Sequence, residues 1–136
     1  MIGTDTNNIW QIGVPQKTLF NQANSQPNVI ITDTINNYGT NDTSSFTVRY
    51  NTYNCPYAFG KYYVDSDSLN DFGIIEISID SGQTWINILE DSLNFSPEKP
   101  VLTGSSNGWK SFELDLNSYA TDIYENSFIL KYWVGL

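Results

Sequence analysis

Apolar and polar residues alternate along much of this chain with the two-residue period of a β-strand, and a helical period is nearly absent. Clusters of Asn, Asp, Gly, Ser and Pro separate the alternating runs, as turns separate short strands. At least six strands are predicted, at 28–34, 46–50, 73–80, 84–89, 109–116 and 127–134, and only 116–123 favours a helical turn. This pattern predicts an all-β fold, an antiparallel β-sandwich of the jelly-roll type.

The length and composition fit one folded unit. The chain has 136 residues, of which 40% are hydrophobic and 15% aromatic, enough for one domain with one core. The Asn-, Asp- and Ser-rich stretch at 36–45 is predicted to be a loop, because strands flank it closely. We expect 1–136 to form a single module, and the apolar run in which it stops suggests a piece of a larger protein.

One hairpin is specified in detail by the residues at 78–85, which follow the S-x-D-x-G-x-T-W pattern called an Asp-box. The pattern begins at Ser78, and the carboxylate of Asp80 can accept hydrogen bonds from the backbone amides of the turn. Gly82 can adopt a positive φ, and the Trp85 ring can pack across the turn. The pattern predicts a structural hairpin and says little about function.

The residues that are missing restrict the chemistry. The chain has no histidine, which excludes His-based catalytic triads and His-ligated metals, and Cys55 has no histidine to activate it. The Asp-box is shared with sialidases, but Arg49 is the only arginine, and those enzymes hold their substrate with three. Around Glu76 the strand resembles that of jelly-roll glucanases, but Ser78 and Ser81 replace the other acidic residues. We therefore expect no enzymatic activity.

The charge balance restricts the partners. Fifteen acidic and six basic residues give a net charge of −9, which disfavours nucleic acid and anionic membranes. No apolar run approaches the roughly 20 residues of a membrane-spanning helix, so no membrane insertion is expected.

Aromatic residues concentrate at 53–63, where Pro56 and Gly60 indicate a turn with Tyr57 and Phe59 at its tip. Sugars bind by stacking their C–H faces on aromatic rings while amides meet their oxygens. The candidate ligand-binding residues are Tyr53, Asn54, Tyr57, Phe59, Tyr62 and Tyr63. The alternative is that these rings pack in the core or along the edge of the sandwich.

A group of carboxylates follows this segment. Asp65, Asp67 and Asp71 lie close together in the sequence, with an amide at Asn70, and oxygen ligands of this kind can chelate Ca²⁺. The spacing is not that of an EF-hand, because Leu69 occupies a ligand position. Calcium is the one candidate cofactor, and a solvated acidic loop is the alternative.

Several segments together resemble one family: residues 10–15, 28–33 with Tyr38, 71–78 with the hairpin, and Gly108-Trp109. Their order is similar to that of jelly-roll accessory modules of secreted bacterial multidomain proteins, which are MAM-like and similar to the C-terminal region of immune-inhibitor-A-type metalloproteases. The resemblance implies a jelly roll, export to the cell surface or medium, and neighbouring domains in a parent chain. Such modules close with a further strand that does not follow Leu136 here, so either the final strand is lacking or it comes from elsewhere.

Three functions remain open from the sequence. The first is a non-catalytic extracellular binding or adhesion module for a glycan or a protein surface. The second is a purely structural β-sandwich spacer beside a peptidase or adhesin domain. The third is a glycan-active enzyme, which would need two carboxylates about 5–9 Å apart in a cleft.

Overall fold

The computed structural model describes residues 2–4, 8–39, 42–51, 57–90, 102–119 and 127–135. Its strands are β1 (Ile2–Thr4), β2 (Trp10–Gly13), β3 (Val29–Thr32), β4 (Ser44–Asn51), β5 (Tyr57–Tyr62), β6 (Phe72–Ser78), β7 (Ile86–Asn87), β8 (Lys110–Asp115) and β9 (Ser127–Gly135). Two short 3-10 helices cover Ile88–Glu90 and Asn117–Tyr119, and the described part has no helix of seven or more residues. The predicted all-β fold is confirmed.

The strands form one five-stranded antiparallel sheet and two two-stranded ones. The large sheet has the order β1-β4-β9-β6-β7, and β2 pairs with β3 while β5 pairs with β8. β9 lies in the middle of the large sheet, antiparallel to β4 on one side and to β6 on the other. The jelly-roll sandwich stays a prediction.

A continuous core connects the β5–β8 pair to the large sheet. Ala58 of β5 and Leu114 of β8 are buried in the same cluster as Ile75 and Ile77 of β6. Alternation along β6 explains this placement, because Ile75 and Ile77 share one face of the strand. Leu114 and Ile77 are both fully buried, at 0% exposure.

Two predicted elements differ in the structure. The segment at 84–89 contains a strand of only two residues, Ile86–Asn87, before the chain turns into a 3-10 helix. The helix buries Ile88 and Leu89 together, which a strand could not do on one face. The turn predicted around Gly60 is instead the middle of β5, where Gly60 is the partner of Phe112. A Cβ at Gly60 would lie 2.8 Å from the Phe112 ring, so the glycine makes room for that ring rather than bending the chain.

The hairpin after β6 is held by one carboxylate. Asp80 Oδ1 accepts hydrogen bonds from the backbone N–H groups of Gln83 and Thr84, at 3.0 and 2.8 Å, and from the Ser78 hydroxyl at 2.8 Å. The Thr84 hydroxyl donates to Oδ2 at 2.6 Å. Gly82 has a φ of 91°, and the Trp85 ring lies close to its Cα, where a Cβ would be 3.6 Å from Trp85 Cζ2. The hydrogen bonds from Thr84 and then from Ser78 lower the pKa of Asp80 to about 2.

These hydrogen bonds predict a pH dependence. Since the pKa of Asp80 is lowered on folding, its carboxylate stabilises the fold above about pH 4, and that contribution is lost as the pH falls towards 2. Asp80→Asn is expected to lower the urea midpoint at pH 7 and to flatten its decline between pH 4 and pH 2. Glu113→Gln, which removes an exposed carboxylate from β8, is the matched control and should leave the wild-type profile in place. Parallel profiles for wild type and Asp80→Asn would contradict the assignment.

Candidate functional site

A wide cleft of about 1770 Å³ is lined by residues from the large sheet, the β2–β3 pair and the β5–β8 pair. Its volume exceeds the roughly 300–1,000 Å³ of most ligand pockets, so it has room for an extended ligand. Residues Phe46 of β4, Ile75 of β6 and Tyr132 of β9 reach it from the large sheet. The cleft is therefore built where all three sheets meet.

Aromatic rings make up much of the cleft lining. Trp10 meets Phe46 edge-on, with ring centroids 4.7 Å apart, and Phe46 stacks on Tyr132 at 4.7 Å and 11° between planes. The Trp10 indole N–H donates to the Ser44 carbonyl at 3.2 Å, which fixes its orientation. On the β5–β8 side, the rings of Tyr62 and Phe112 lie 6.5 Å apart. Each ring is thus held in place by neighbouring aromatic groups.

A third group of rings lies just beyond the last residue pair of β5 and β8. Tyr62 is the partner of Lys110, so the next residues along, Tyr63 and Trp109, are neighbours across the pair. Their ring centroids are 6.0 Å apart, and Phe20 contacts both, at 4.7 Å from Tyr63 and 5.4 Å from Trp109. We call Phe20, Tyr63 and Trp109 the aromatic trio. The trio lines the cleft.

The predicted ligand-binding residues separate into several environments. Tyr53 and Asn54 lie outside the described residues, as does Cys55. Tyr57 and Phe59 are 42% and 79% exposed, as predicted, but they lie on one face of strand β5 and not at a loop tip. Phe59 lines the cleft, whereas Tyr57 is not part of its lining. Tyr62 and Tyr63 are half-buried and line the cleft.

The aspartates predicted to hold calcium lie near the hydroxyl of Tyr38. This hydroxyl donates to Asp71 Oδ2 at 2.7 Å, and its pKa is raised by burial, by that hydrogen bond and by the charges of Asp71, Asp67 and Asp65. The Asp67 carboxylate accepts hydrogen bonds from the Leu69 N–H and the Asn70 amide, both at 2.9 Å. Over the described ranges, no three His, Cys, Asp or Glu side chains come together in a group that could hold a metal. Hydrogen bonds from neighbouring groups are accepted by the carboxylates of Asp67 and Asp71 in this structure, and the calcium site stays a prediction.

Few positive charges reach the cleft. Lys17 donates from Nζ to the Thr32 carbonyl at 2.6 Å, and burial lowers its pKa while the charge of Asp33 opposes that effect. Lys61 lies on the exposed face of β5, two residues from Phe59. Asp65, Asp67, Asp71 and Glu113 also line the cleft, so its charge is more negative than positive.

Sequence reasoning missed several of the cleft residues. Trp10, Phe20 and Phe46 are far from the 53–63 segment along the chain and meet it only through the sheet arrangement. Trp109 follows Gly108, whose φ of 109° permits the turn that delivers the tryptophan to the start of β8. The sequence signal available for Trp109 was the glycine before it, since glycine readily adopts the positive φ that this turn needs.

Comparison with protein-family models, curated proteins and solved structures finds no match for this chain. Among the described residues, no helix is long and apolar enough to cross a membrane.

Proposed function

We propose that this protein is a non-catalytic binding module that holds a carbohydrate chain in the aromatic cleft. The observation that supports the proposal most is the cleft lining, which combines rings with hydroxyl and amide side chains over about 1770 Å³. Pyranose rings present apolar C–H faces that stack on aromatic rings, and their hydroxyls need donors and acceptors around those rings. A cleft of this volume has room for more than one sugar unit.

Phe59 is the residue in this cleft whose position favours binding most clearly. Its side chain is 79% exposed on β5, and its cross-strand partner is Glu113, also exposed. A large apolar ring that is exposed to water does not stabilise the folded state by burial. Its placement at a cleft is therefore typical of an interaction surface. Lys61 on the same face adds a donor for sugar oxygens.

The cleft also bears on Glu76, the glutamate of the strand that resembles jelly-roll glucanases. Glu76 lies on β6 but is not part of the cleft lining, so a sugar bound there would not meet it. A hydrolase using other carboxylates is an outcome of the experiment below, because cleavage of a bound oligosaccharide would release shorter products. We place the module in an extracellular protein beside other domains, which the family resemblance supports.

The structural-spacer alternative draws support from the half-buried rings. Tyr62 lies near Phe112, and Tyr63 packs with Phe20 and Trp109. Rings that contact one another in this way stabilise the junction of the sheets whether or not a ligand binds. The two functions differ in what they expect of Phe59, because Phe59 is too exposed to stabilise the fold.

A matched pair of variants on β5 tests the proposal. Oligosaccharides that bind on a glycan array are titrated by calorimetry, with an expected dissociation constant of about 0.1–1 mM, equivalent to about 4–5.5 kcal/mol. Phe59→Ala is expected to weaken binding about 2- to 10-fold, the value of one ring contact. Tyr57→Ala removes a ring from the same face outside the cleft and should bind as wild type does.

Both variants should keep the wild-type melting temperature, because neither side chain is buried. Titrations in calcium and in EDTA test the cation site at Asp65, Asp67 and Asp71, since a site specific to the folded state raises its stability. If no oligosaccharide binds, or if Phe59→Ala and Tyr57→Ala behave alike, the cleft is not a sugar site and the spacer function replaces it.

A further inference from the structure

A second, smaller pocket of about 380 Å³ lies at the aromatic trio. Residues 19–24 form one side of it, and Tyr63 and Trp109 form the other. The trio lines both this pocket and the cleft, so the two spaces share their rings. Every residue lining the small pocket is uncharged. This sets it apart from the cleft, whose lining includes lysines and carboxylates.

The loop at 19–24 is held in place at several points. The Lys17 N–H donates to the Phe20 carbonyl at 3.1 Å, and the Trp109 indole N–H donates to the Gln22 carbonyl at 3.4 Å. Ala23 is buried, at 4% exposure, and its carbonyl accepts a hydrogen bond from the Gln26 amide at 3.3 Å. These contacts fix the path of the loop backbone against the rings.

With the backbone anchored, the loop directs its amides outward. Asn21, Gln22 and Asn24 are all exposed beside the rings of Tyr63 and Trp109. Amides can both donate to and accept from a sugar hydroxyl, because each carries an N–H₂ group and a carbonyl oxygen. Recognition of a single pyranose needs an aromatic ring for stacking and polar groups for its hydroxyls, and this pocket has both.

We infer that this pocket is a subsite for a terminal, neutral pyranose at the end of a chain bound in the cleft. The volume of about 380 Å³ is at the small end of the roughly 300–1,000 Å³ of ligand pockets, which suits one or two sugar units. An acidic sugar would find no cation among the lining residues and would be repelled by a chain of net charge −9. The inference deepens the proposed function and rests on it.

The trio has a simpler explanation that the experiment must separate. Rings packed between the loop and the β5–β8 pair would anchor the loop with no ligand involved, and Trp109→Ala would destabilise the protein on either view. The amides avoid this difficulty, because Asn21 and Asn24 are exposed and truncating them removes no buried side chain. Asn21→Ala and Asn24→Ala, together in one variant, are therefore the decisive change, and Gln16→Ala, an exposed amide in neither pocket, is the matched control.

The probes are the methyl glycosides of glucose, galactose, mannose and N-acetylglucosamine, with methyl glucuronide and methyl galacturonide as the acidic counterparts. Saturation-transfer NMR reports which of them contact the protein, and titration gives their affinities. At least one neutral glycoside is expected to bind more tightly than its uronide. The Asn21/Asn24 variant is expected to lose about 2- to 10-fold in that affinity per hydrogen bond removed, while Gln16→Ala loses none.

Three results would overturn the subsite. They are the absence of saturation transfer to every neutral glycoside, equal binding of the uronides, and an Asn21/Asn24 variant that binds as wild type does. The proposed function is judged separately, by longer oligosaccharides and Phe59→Ala. If those oligosaccharides bind and their affinity depends on Phe59, while the Asn21/Asn24 variant binds the glycosides as wild type does, the cleft keeps its proposed function and the subsite is wrong.

Discussion

Leu114→Ala is expected to lower the free energy of unfolding by about 2–5 kcal/mol. Leu114 is 0% exposed on β8 and belongs to the cluster that joins the β5–β8 pair to β6. Truncation removes apolar contacts from both sides of this junction and leaves a cavity that rigid strands cannot close. Since a domain of this kind has a total stability of only about 5–15 kcal/mol, the loss is a large fraction of it.

Urea denaturation followed by tryptophan fluorescence measures this loss. Leu69→Ala makes the same truncation at a side chain that is 89% exposed, and it should change stability by no more than about 0.5 kcal/mol. If both variants unfold at the wild-type urea concentration, Leu114 does not join the two sheets and the described core is wrong.

Gly82→Ala is expected to cost about 1–3 kcal/mol, because the backbone at this position has a φ of 91°, which residues with a Cβ rarely adopt. Space is not the obstacle. The added Cβ would lie 3.6 Å from Trp85 Cζ2, an ordinary van der Waals distance. The cost therefore measures the backbone conformation that lets the Gln83 and Thr84 amides reach Asp80.

Gly39→Ala is the matched control for this substitution. A Cβ at Gly39 would meet no atom within 4 Å, and its φ is not in the positive range, so the change should be neutral or slightly stabilising. Melting temperatures of the two variants, measured side by side, give the comparison. Equal melting temperatures would mean that the hairpin tolerates a rearranged turn.

Several strands were predictable from the sequence, and β5 was missed. β6 carries Ile75 and Ile77 at a period of two, β8 carries Phe112 and Leu114 in the same way, and β9 is a run of mostly apolar residues, so the positions of these three strands were predicted within a few residues. β5 was hidden by Gly60, which indicates a turn when only neighbours in sequence are considered. The reason for that glycine is the ring of Phe112 on the opposite strand, and local patterns contain no information about it.

The site divides in the same way. Phe59 and Tyr57 were predicted to be exposed at the tip of a turn indicated by Pro56 and Gly60, and both are exposed, although on strand β5. The aromatic trio was not predicted as a unit, since Phe20 lies in an irregular loop with no period to place it. Its three members come from three separate parts of the chain, and the pairing of β5 with β8, whose last pair is Tyr62 with Lys110, brings two of them together.

The position of β9 between β4 and β6 has a consequence for how the protein folds during its synthesis. Residues Ser44–Asn51 and Phe72–Ser78 both take their hydrogen-bonding partner from Ser127–Gly135, which leaves the ribosome well after either of them. Until β9 has been synthesised, one edge of β4 and one edge of β6 carry backbone N–H and C=O groups without their hydrogen-bonding partners. Pairing over such long stretches of chain is slow, typically milliseconds to seconds for all-β domains. A nascent chain stalled before Ser127 should therefore lack the large sheet, and its exposed strand edges should make it a substrate for chaperones.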